Sequence, residues 1–84
     1  MASKTGIFTG DPTNPYLAVD LDDDTTTKYY GFTRPDGAWY IQRETTSGGD
    51  TLFRYVKGAN GYELNWTNRA TLTYNYPEHV FDTV

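Results

Sequence analysis

The chain offers few side chains for nucleophilic or acid–base chemistry, since its 84 residues include one histidine, two serines and no cysteine. A lone His79 is not a catalytic constellation. Ser3 and Ser47 lack the setting of a nucleophile elbow, and a Ser-His-Asp triad has no support. The missing cysteine excludes thiol nucleophiles, disulfides and Cys-type zinc sites. We therefore predict a protein that is not an enzyme, with no catalytic residues and no cofactor.

The acidic run Asp20-Leu21-Asp22-Asp23-Asp24 is the one group that could hold a hard cation. Calcium prefers several carboxylate oxygens. An EF-hand loop needs Gly at its sixth position and Glu at its twelfth. Counted from Asp20, those positions hold Thr25 and Gly31, and a start at Asp22 fails in the same way. The run is more typical of a solvated acidic turn, and we predict no metal site.

Charge is unevenly placed along the chain. Residues 1–26 hold one lysine and five aspartates, whereas residues 27–84 hold six cations and six anions, so the net charge of −4 belongs to the first segment. Because nucleic-acid binding depends on neutralising phosphates with Lys and Arg, we predict no nucleic-acid partner. No run approaches the roughly 18 apolar residues of a membrane span, and the start has no secretory pattern. The expected place of synthesis is a cytoplasm.

Aromatic residues must supply most of the core. The chain has eight Tyr, four Phe and two Trp but few Leu, Ile and Val. Aromatic side chains bury large areas, and Tyr and Trp also present a polar edge. Small domains without disulfides often gain stability from a partner. We therefore expect an assembly subunit, present as a homo-oligomer or in many copies.

A β-hairpin is the clearest structural signal. Residues 28–34 and 38–44 are β-type runs, and Arg34-Pro35-Asp36-Gly37 between them is a turn sequence. Residues 45–50 are predicted to be a flexible connection, and residues 51–57 a third strand. Residues 62–69 are predicted to be a short helix or an irregular crossing segment. Residues 71–76 alternate cleanly, with Leu72, Tyr74 and Tyr76 on one face, and are predicted to be the last main strand.

The first 26 residues differ from this β body. Within them, Tyr16–Leu21 alternates and could form one strand with Leu17, Val19 and Leu21 on one face. Two interpretations stay open: a loose terminus, or an arm that adds to the sheet edge of a neighbour. We accordingly predict two regions, an extended acidic N-terminal arm over 1–26 and a small antiparallel β domain over 27–84.

The predicted fold is mainly β, a small antiparallel meander of three to four strands with an extended N-terminal arm and at most one short helix. Arg69 is expected to pair with a carboxylate or to cap a carbonyl. The predicted core residues are Trp39, Ile41, Trp66, Leu72 and Tyr74. The candidate interface residues are Leu17, Val19, Tyr29, Tyr40 and Tyr76.

Read together, residues 29–74 resemble a group of small virion proteins encoded by tailed bacteriophages. The last part is similar to that group's Trp-x-x-Arg-Ala-x-Leu-x-Tyr ending. The features that carry the resemblance are Tyr30-Gly31, Trp39 with Ile41 and Arg43, an aromatic residue before Gly58, Tyr62, Trp66, and the segment Asn68-Arg69-Ala70-Thr71-Leu72-Thr73-Tyr74.

The resemblance implies a structural protein of the virus particle, associated with the tail, collar or fibre. Its partners would be other virion proteins, and it would be made in the host cytoplasm and located in the virion. It supplies no catalytic residues. A different class of function stays open from the sequence: a carbohydrate- or host-surface-binding β module.

Overall fold

The computed structural model of the chain describes residues 15–81. Residues 1–14, which are the first part of the predicted arm, and residues 82–84 lie outside the described residues. Four antiparallel strands form one sheet in sequence order, so the predicted mainly β meander is confirmed. The strands are β1 (Leu17–Asp23), β2 (Thr27–Thr33), β3 (Trp39–Ser47) and β4 (Asp50–Gly58); they are followed by α1 (Tyr62–Thr67), a 3₁₀ turn (Arg69–Thr71) and α2 (Pro77–Val80).

The two hairpin turns follow from local sequence. Between β2 and β3, Gly37 has φ +99°, and the Arg34 amide donates to the Ala38 carbonyl over 2.8 Å. Between β3 and β4, Gly48 and Gly49 both have positive φ, which a two-residue hairpin turn requires. Residues 45–50 are therefore mostly strand, not the flexible connection that the sequence suggested.

β1 belongs to the same sheet, so this part of the predicted arm is a strand of the β domain. Leu17 pairs with Thr33 and Leu21 with Tyr30, and the register shifts at a β-bulge around Val19. A bulge inserts one extra residue and reverses the facing of everything beyond it. Leu17 and Leu21 consequently lie on opposite faces, and the prediction that they share one face is wrong.

The predicted last strand, residues 71–76, is also wrong. The 3₁₀ turn ends at Thr71, and only Asn75 joins the sheet, through an isolated bridge to Tyr55 with backbone hydrogen bonds of 2.8 and 2.9 Å. Pro77 then starts α2. The chain crosses from one face of the sheet to the other around the edge of β4, which explains why the alternating residues do not form a strand. Residues 15–81 contain two short α-helices where at most one was expected.

The sheet is covered on both faces. We call the side that bears Gly31 and Ile41 the helix face, because α1 packs there, and the side that bears Tyr40 the ring face. Trp39 is 3% exposed, Tyr40 6% and Ile41 0%. Three successive residues of β3 are therefore buried, which requires cover on both sides since strand side chains alternate. The other predicted core residues, Trp66, Leu72 and Tyr74, are half-buried.

Tyr40 was predicted to be an exposed contact residue, and that prediction is wrong. On the ring face it stacks on Phe32 with ring centroids 4.5 Å apart. The rings of Tyr16, at 5.0 Å, and Phe81, at 5.1 Å, meet it edge-on. Tyr55 lies 6.2 Å away. Burial among these rings raises the pKa of Tyr40 to about 12.

Candidate functional site

The outer edge of β1 is the most open part of the sheet. The strand order places β1 and β4 at the two edges. At β4, Asn75 pairs with Tyr55 and α2 packs beside the strand. At β1, no residue among the described 15–81 pairs with the side that faces away from β2. The free backbone groups of an edge strand can pair with another chain.

Exposed apolar side chains lie along the same strand. Leu17 is 55% exposed, Val19 48% and Leu21 58%. Leu17 points to the helix face and Leu21 to the ring face, with Val19 at the bulge between them. The predicted interface residues Leu17 and Val19 thus lie together on an exposed edge. The sequence did not single out Leu21 as an interface residue.

The other three predicted interface residues lie elsewhere. Tyr29 is half-buried on the helix face, with its ring 5.9 Å from that of Tyr74. Tyr40 is buried on the ring face. Tyr76 is 49% exposed, and the Arg54 guanidinium lies 3.9 Å from the centre of its ring. The five residues do not form one surface.

Two carboxylates of the acidic run hold the helical segment onto β1. Asp20 Oδ2 accepts a hydrogen bond from the Tyr62 hydroxyl over 2.8 Å. Asp22 Oδ2 accepts from Arg69 Nε at 3.0 Å and from Nη2 at 2.9 Å. Burial, helped by the bond to Asp20, raises the pKa of Tyr62, so the hydroxyl keeps its proton and donates at neutral pH.

The remaining two carboxylates point outward. Asp23 is 64% exposed, with Lys28 Nζ 3.9 Å away, and Asp24 accepts from the amide of Thr25 over 2.7 Å. Among residues 15–81 no group of three or more His, Asp or Glu side chains is arranged to hold a metal ion. The run supplies anchors for α1 and a negative end to the exposed strand.

Arg69 makes both of the contacts expected from the sequence. Besides pairing with Asp22, its Nη1 donates to the Trp66 carbonyl over 2.8 Å. Its guanidinium also lies 4.5 Å from the Trp66 ring centre and 5.7 Å from that of Tyr29. One side chain thus ties the end of α1 to β1 and β2.

Gly31 allows α1 to pack closely against the helix face. A Cβ at this position would overlap the Tyr62 hydroxyl and lie 3.1 Å from Trp66 Cε3. A glycine inside a strand often marks a close approach by another element. The Gly31 signal was present in the sequence, but it did not identify Tyr62 as the approaching residue.

A groove opens beside the bulge of β1. It encloses about 760 Å³ and lies between the bulge, the β2–β3 turn and the start of α1. Val19 and Leu64 line it, and Leu64 is 68% exposed. Asp20 and Glu63 give its rim a negative character, whereas Arg34 at the other side pairs with Asp36 over 2.6 Å. The groove and the open edge form one continuous surface.

No family model, curated protein or solved structure shows significant similarity to this chain. Within residues 15–81, no helix is both long and apolar enough to cross a membrane. An open strand edge flanked by exposed apolar side chains and a groove is suited to pairing with an extended polypeptide.

Proposed function

We propose that this chain is a non-enzymatic structural protein of a tailed phage particle, which assembles through its β domain and its N-terminal arm. The observation that carries the proposal is the open outer edge of β1 with exposed Leu17, Val19 and Leu21. The attribution to a phage particle rests on the sequence resemblance of residues 29–74. The partners would be other virion proteins, with the chain present in many copies.

The composition of β1 supports a docking role. Proteins often protect a sheet edge with Lys, Pro or a covering element. The segment Leu17–Asp23 contains neither Lys nor Pro. Its protective features are the bulge near Val19 and its aspartates, which oppose pairing with an acidic strand but not with a basic one. An exposed edge of seven residues, with three exposed apolar side chains, favours use as an interface.

The ionisable side chains at this edge support binding more than catalysis. Asp20 and Asp22 each use an oxygen to hold the helical segment. Tyr62 is held in its protonated form by burial and by Asp20, which raise its pKa. A general base would need a group tuned to exchange protons near neutral pH, and the raised pKa of Tyr62 moves it away from that range.

The alternative, a carbohydrate-binding module, would be favoured by neighbouring exposed rings that form one platform. Among residues 15–81, the most exposed aromatic residues are Phe53 and Tyr76, at 43% and 49%. Phe53 lies on the ring face by its pairing with Glu44. Tyr76 lies under Arg54, which points to the helix face. The arrangement favours the assembly proposal.

A lysine on the open edge tests the proposal. In the phage whose genome encodes the chain, Val19→Lys should lower the copy number per purified particle by at least tenfold, because a charge on an edge strand opposes strand addition. Quantitative mass spectrometry of particles measures this. The matched control is Leu52→Lys on β4, also partly exposed at 40%, which should leave the copy number unchanged.

Both variants should have a free energy of unfolding within about 0.5 kcal/mol of that of the parent chain, as expected for surface changes. Absence of the parent chain from purified particles would overturn the virion proposal, and equal incorporation of Val19→Lys would overturn the role of β1. A stable monomer in solution that binds glycans would favour the alternative instead. The contribution of the arm is tested by deleting residues 1–14, which leaves all four strands in place.

A further inference from the structure

We infer that the β1 edge receives an extended, cationic segment of a different polypeptide, and not β1 of a second copy. The inference rests on the proposed function and names the chemistry of the partner at the same surface. It follows from three features of the edge: the placement of its carboxylates, the position of its bulge and the groove beside it.

Self-pairing is opposed by the carboxylates. The regular stretch beyond the bulge is Asp20–Asp23, with the sequence Asp-Leu-Asp-Asp. In an antiparallel pair with two-fold symmetry, a centre at Asp20, Asp22 or Asp23 places that residue opposite its own copy. A centre at Leu21 places Asp20 opposite Asp22. Like charges directly opposite each other destabilise a strand pair, so this stretch disfavours every such register.

The bulge opposes the registers that span it, and a register centred on Leu17 or Ala18 would use only the two strand residues that precede it. Pairing the residues before the bulge with those beyond it requires Leu17 to lie opposite Asp20 or Asp22, because only these share a face. Both bulges would then meet near the centre of the new ladder, where the extra residue disrupts the hydrogen bonding. A partner strand without a bulge and without carboxylates avoids both obstacles.

The charge of the edge specifies the partner. Residues 15–26 contain four aspartates and no lysine or arginine. Two of these carboxylates also contact Tyr62 and Arg69. Asp23 is 64% exposed although Lys28 Nζ lies 3.9 Å away, and Asp24 is exposed beyond it. Lysine or arginine side chains on an added strand would lie opposite or diagonal to these carboxylates, where opposite charges stabilise the pair.

The groove adds an apolar requirement at the other end of the edge. It lies beside Val19 and Leu64, both exposed, and its volume of about 760 Å³ can receive one or two large side chains. The segment that fits best therefore carries an apolar side chain near the bulge and basic side chains toward Asp23 and Asp24. Backbone pairing supplies the affinity, and the side chains supply the selection.

Two synthetic peptides test the inference. Each is blocked at both ends and has seven residues, the length of β1; one alternates valine with lysine, the other valine with glutamate. Titrated into the isotopically labelled full chain, the lysine peptide should shift the backbone amide NMR signals of β1, and the glutamate peptide should not. Affinity for the lysine peptide should fall with added salt, because exposed charges are screened.

The variant Asp23→Asn/Asp24→Asn should weaken binding of the lysine peptide by roughly 2- to 25-fold, at about 1.4- to fivefold for each carboxylate. Asp50→Asn, an exposed residue at the β3–β4 turn, is the matched control and should bind like the parent. Equal binding of both peptides, no binding, shifts confined to other strands, or a parent dimer that Val19→Lys dissociates would each overturn the inference. A failure of the lysine peptide while Val19→Lys still blocks incorporation leaves the proposed function standing.

Discussion

The helix face and the ring face of the sheet are covered through different interactions, so that β3 is buried from both sides. On the helix face, directional contacts fix the cover: Tyr62 donates to Asp20, and Arg69 pairs with Asp22 and caps the Trp66 carbonyl. These contacts join residues 42 and 47 positions apart in the chain. They determine where α1 lies on β1 and β2, as hydrogen bonds do when their partners leave little choice of geometry.

On the ring face, packing of aromatic side chains provides the cover. Tyr40 lies at the centre of a cluster completed by Tyr16, Phe32, Tyr55 and Phe81, with edge-on and stacked contacts. Such pairs contribute through buried area and ring geometry more than through a unique hydrogen bond. The difference teaches that both faces bury large side chains, Trp39 and Ile41 on the helix face and Tyr40 on the ring face, whereas the hydrogen bonds that align α1 lie on the helix face.

The largest loss of stability is expected from removing the buried tyrosine at the centre of the ring-face cluster. Tyr40→Ala should lower the free energy of unfolding by about 3–5 kcal/mol, the range for removing a large buried aromatic side chain. Denaturant unfolding followed by tryptophan fluorescence measures it. Tyr76→Ala, at a half-exposed tyrosine, is the matched control and should cost less than about 1 kcal/mol. A loss below about 1.5 kcal/mol for Tyr40→Ala would show that the ring face is not a main source of stability.

The second largest effect is expected at alkaline pH, where ionisation of Tyr40 on the ring face should lower the free energy of unfolding. The pKa of Tyr40 is raised from 10.0 to about 12, mainly by burial. Below pH 10 the tyrosine is neutral in both states, so its contribution is fully present. Between pH 10 and 12 the unfolded chain releases the proton first, and stability falls. At 1.36 kcal/mol per pKa unit, the loss from this group is about 2 kcal/mol at pH 12 and approaches its limit of just under 3 kcal/mol above that pH.

Comparing two variants separates the faces in that titration. Burial also raises the pKa values of Tyr62 and Tyr74 on the helix face, so part of the alkaline loss belongs there. Tyr40→Phe should remove the Tyr40 part and make the fall of unfolding free energy between pH 10 and 12 less steep, while Tyr30, whose pKa is raised by its hydrogen bond to Glu44, still contributes on the ring face. Tyr62→Phe should remove a separate part. An unchanged pH profile in Tyr40→Phe would contradict the assignment to the ring face.

The sequence predicted some local features of this fold, but not the strand ends within residues 45–50 or the irregular path of residues 71–76. The hairpin around Pro35-Asp36-Gly37 and the helix from Tyr62 follow from turn residues and from spacing along the chain. The sequence did not reveal that Leu17 and Leu21 lie on opposite faces, because the bulge between them is fixed by pairing with β2. Tyr40 was misjudged because a small sheet commonly has one open face, whereas here Phe81 returns to cover the second.

The candidate site was predicted only in part. Leu17 and Val19 were identified from their alternation, and the acidic run from its composition. The partners of Asp20 and Asp22 could not be assigned, because three strands separate them in sequence from Tyr62 and Arg69, and only the folded chain brings them together. The groove beside Val19 has no sequence signal, since its walls come from a turn, a bulge and a helix start.

The smallest of the expected stability effects concerns Gly31, where α1 packs against the sheet. Gly31→Ala should cost about 1–3 kcal/mol, as overpacking does, because its Cβ would displace the Tyr62 hydroxyl. The loss should depend on that hydroxyl, unlike any change on the ring face. In the Tyr62→Phe background the same Gly31→Ala change should therefore cost less, and Tyr40→Ala should cost the same in both backgrounds.

A double-mutant cycle on denaturant unfolding measures this coupling, which for residues in contact is about 0.5–3 kcal/mol. Some penalty should remain in the double variant, because the Cβ would still lie close to Tyr62 Cζ, at 2.9 Å, and to the Trp66 ring. Additive costs for Gly31→Ala and Tyr62→Phe would mean that the hydroxyl does not lie against Gly31. The position of α1 on the sheet would then rest on the packing of the Tyr62 and Trp66 rings.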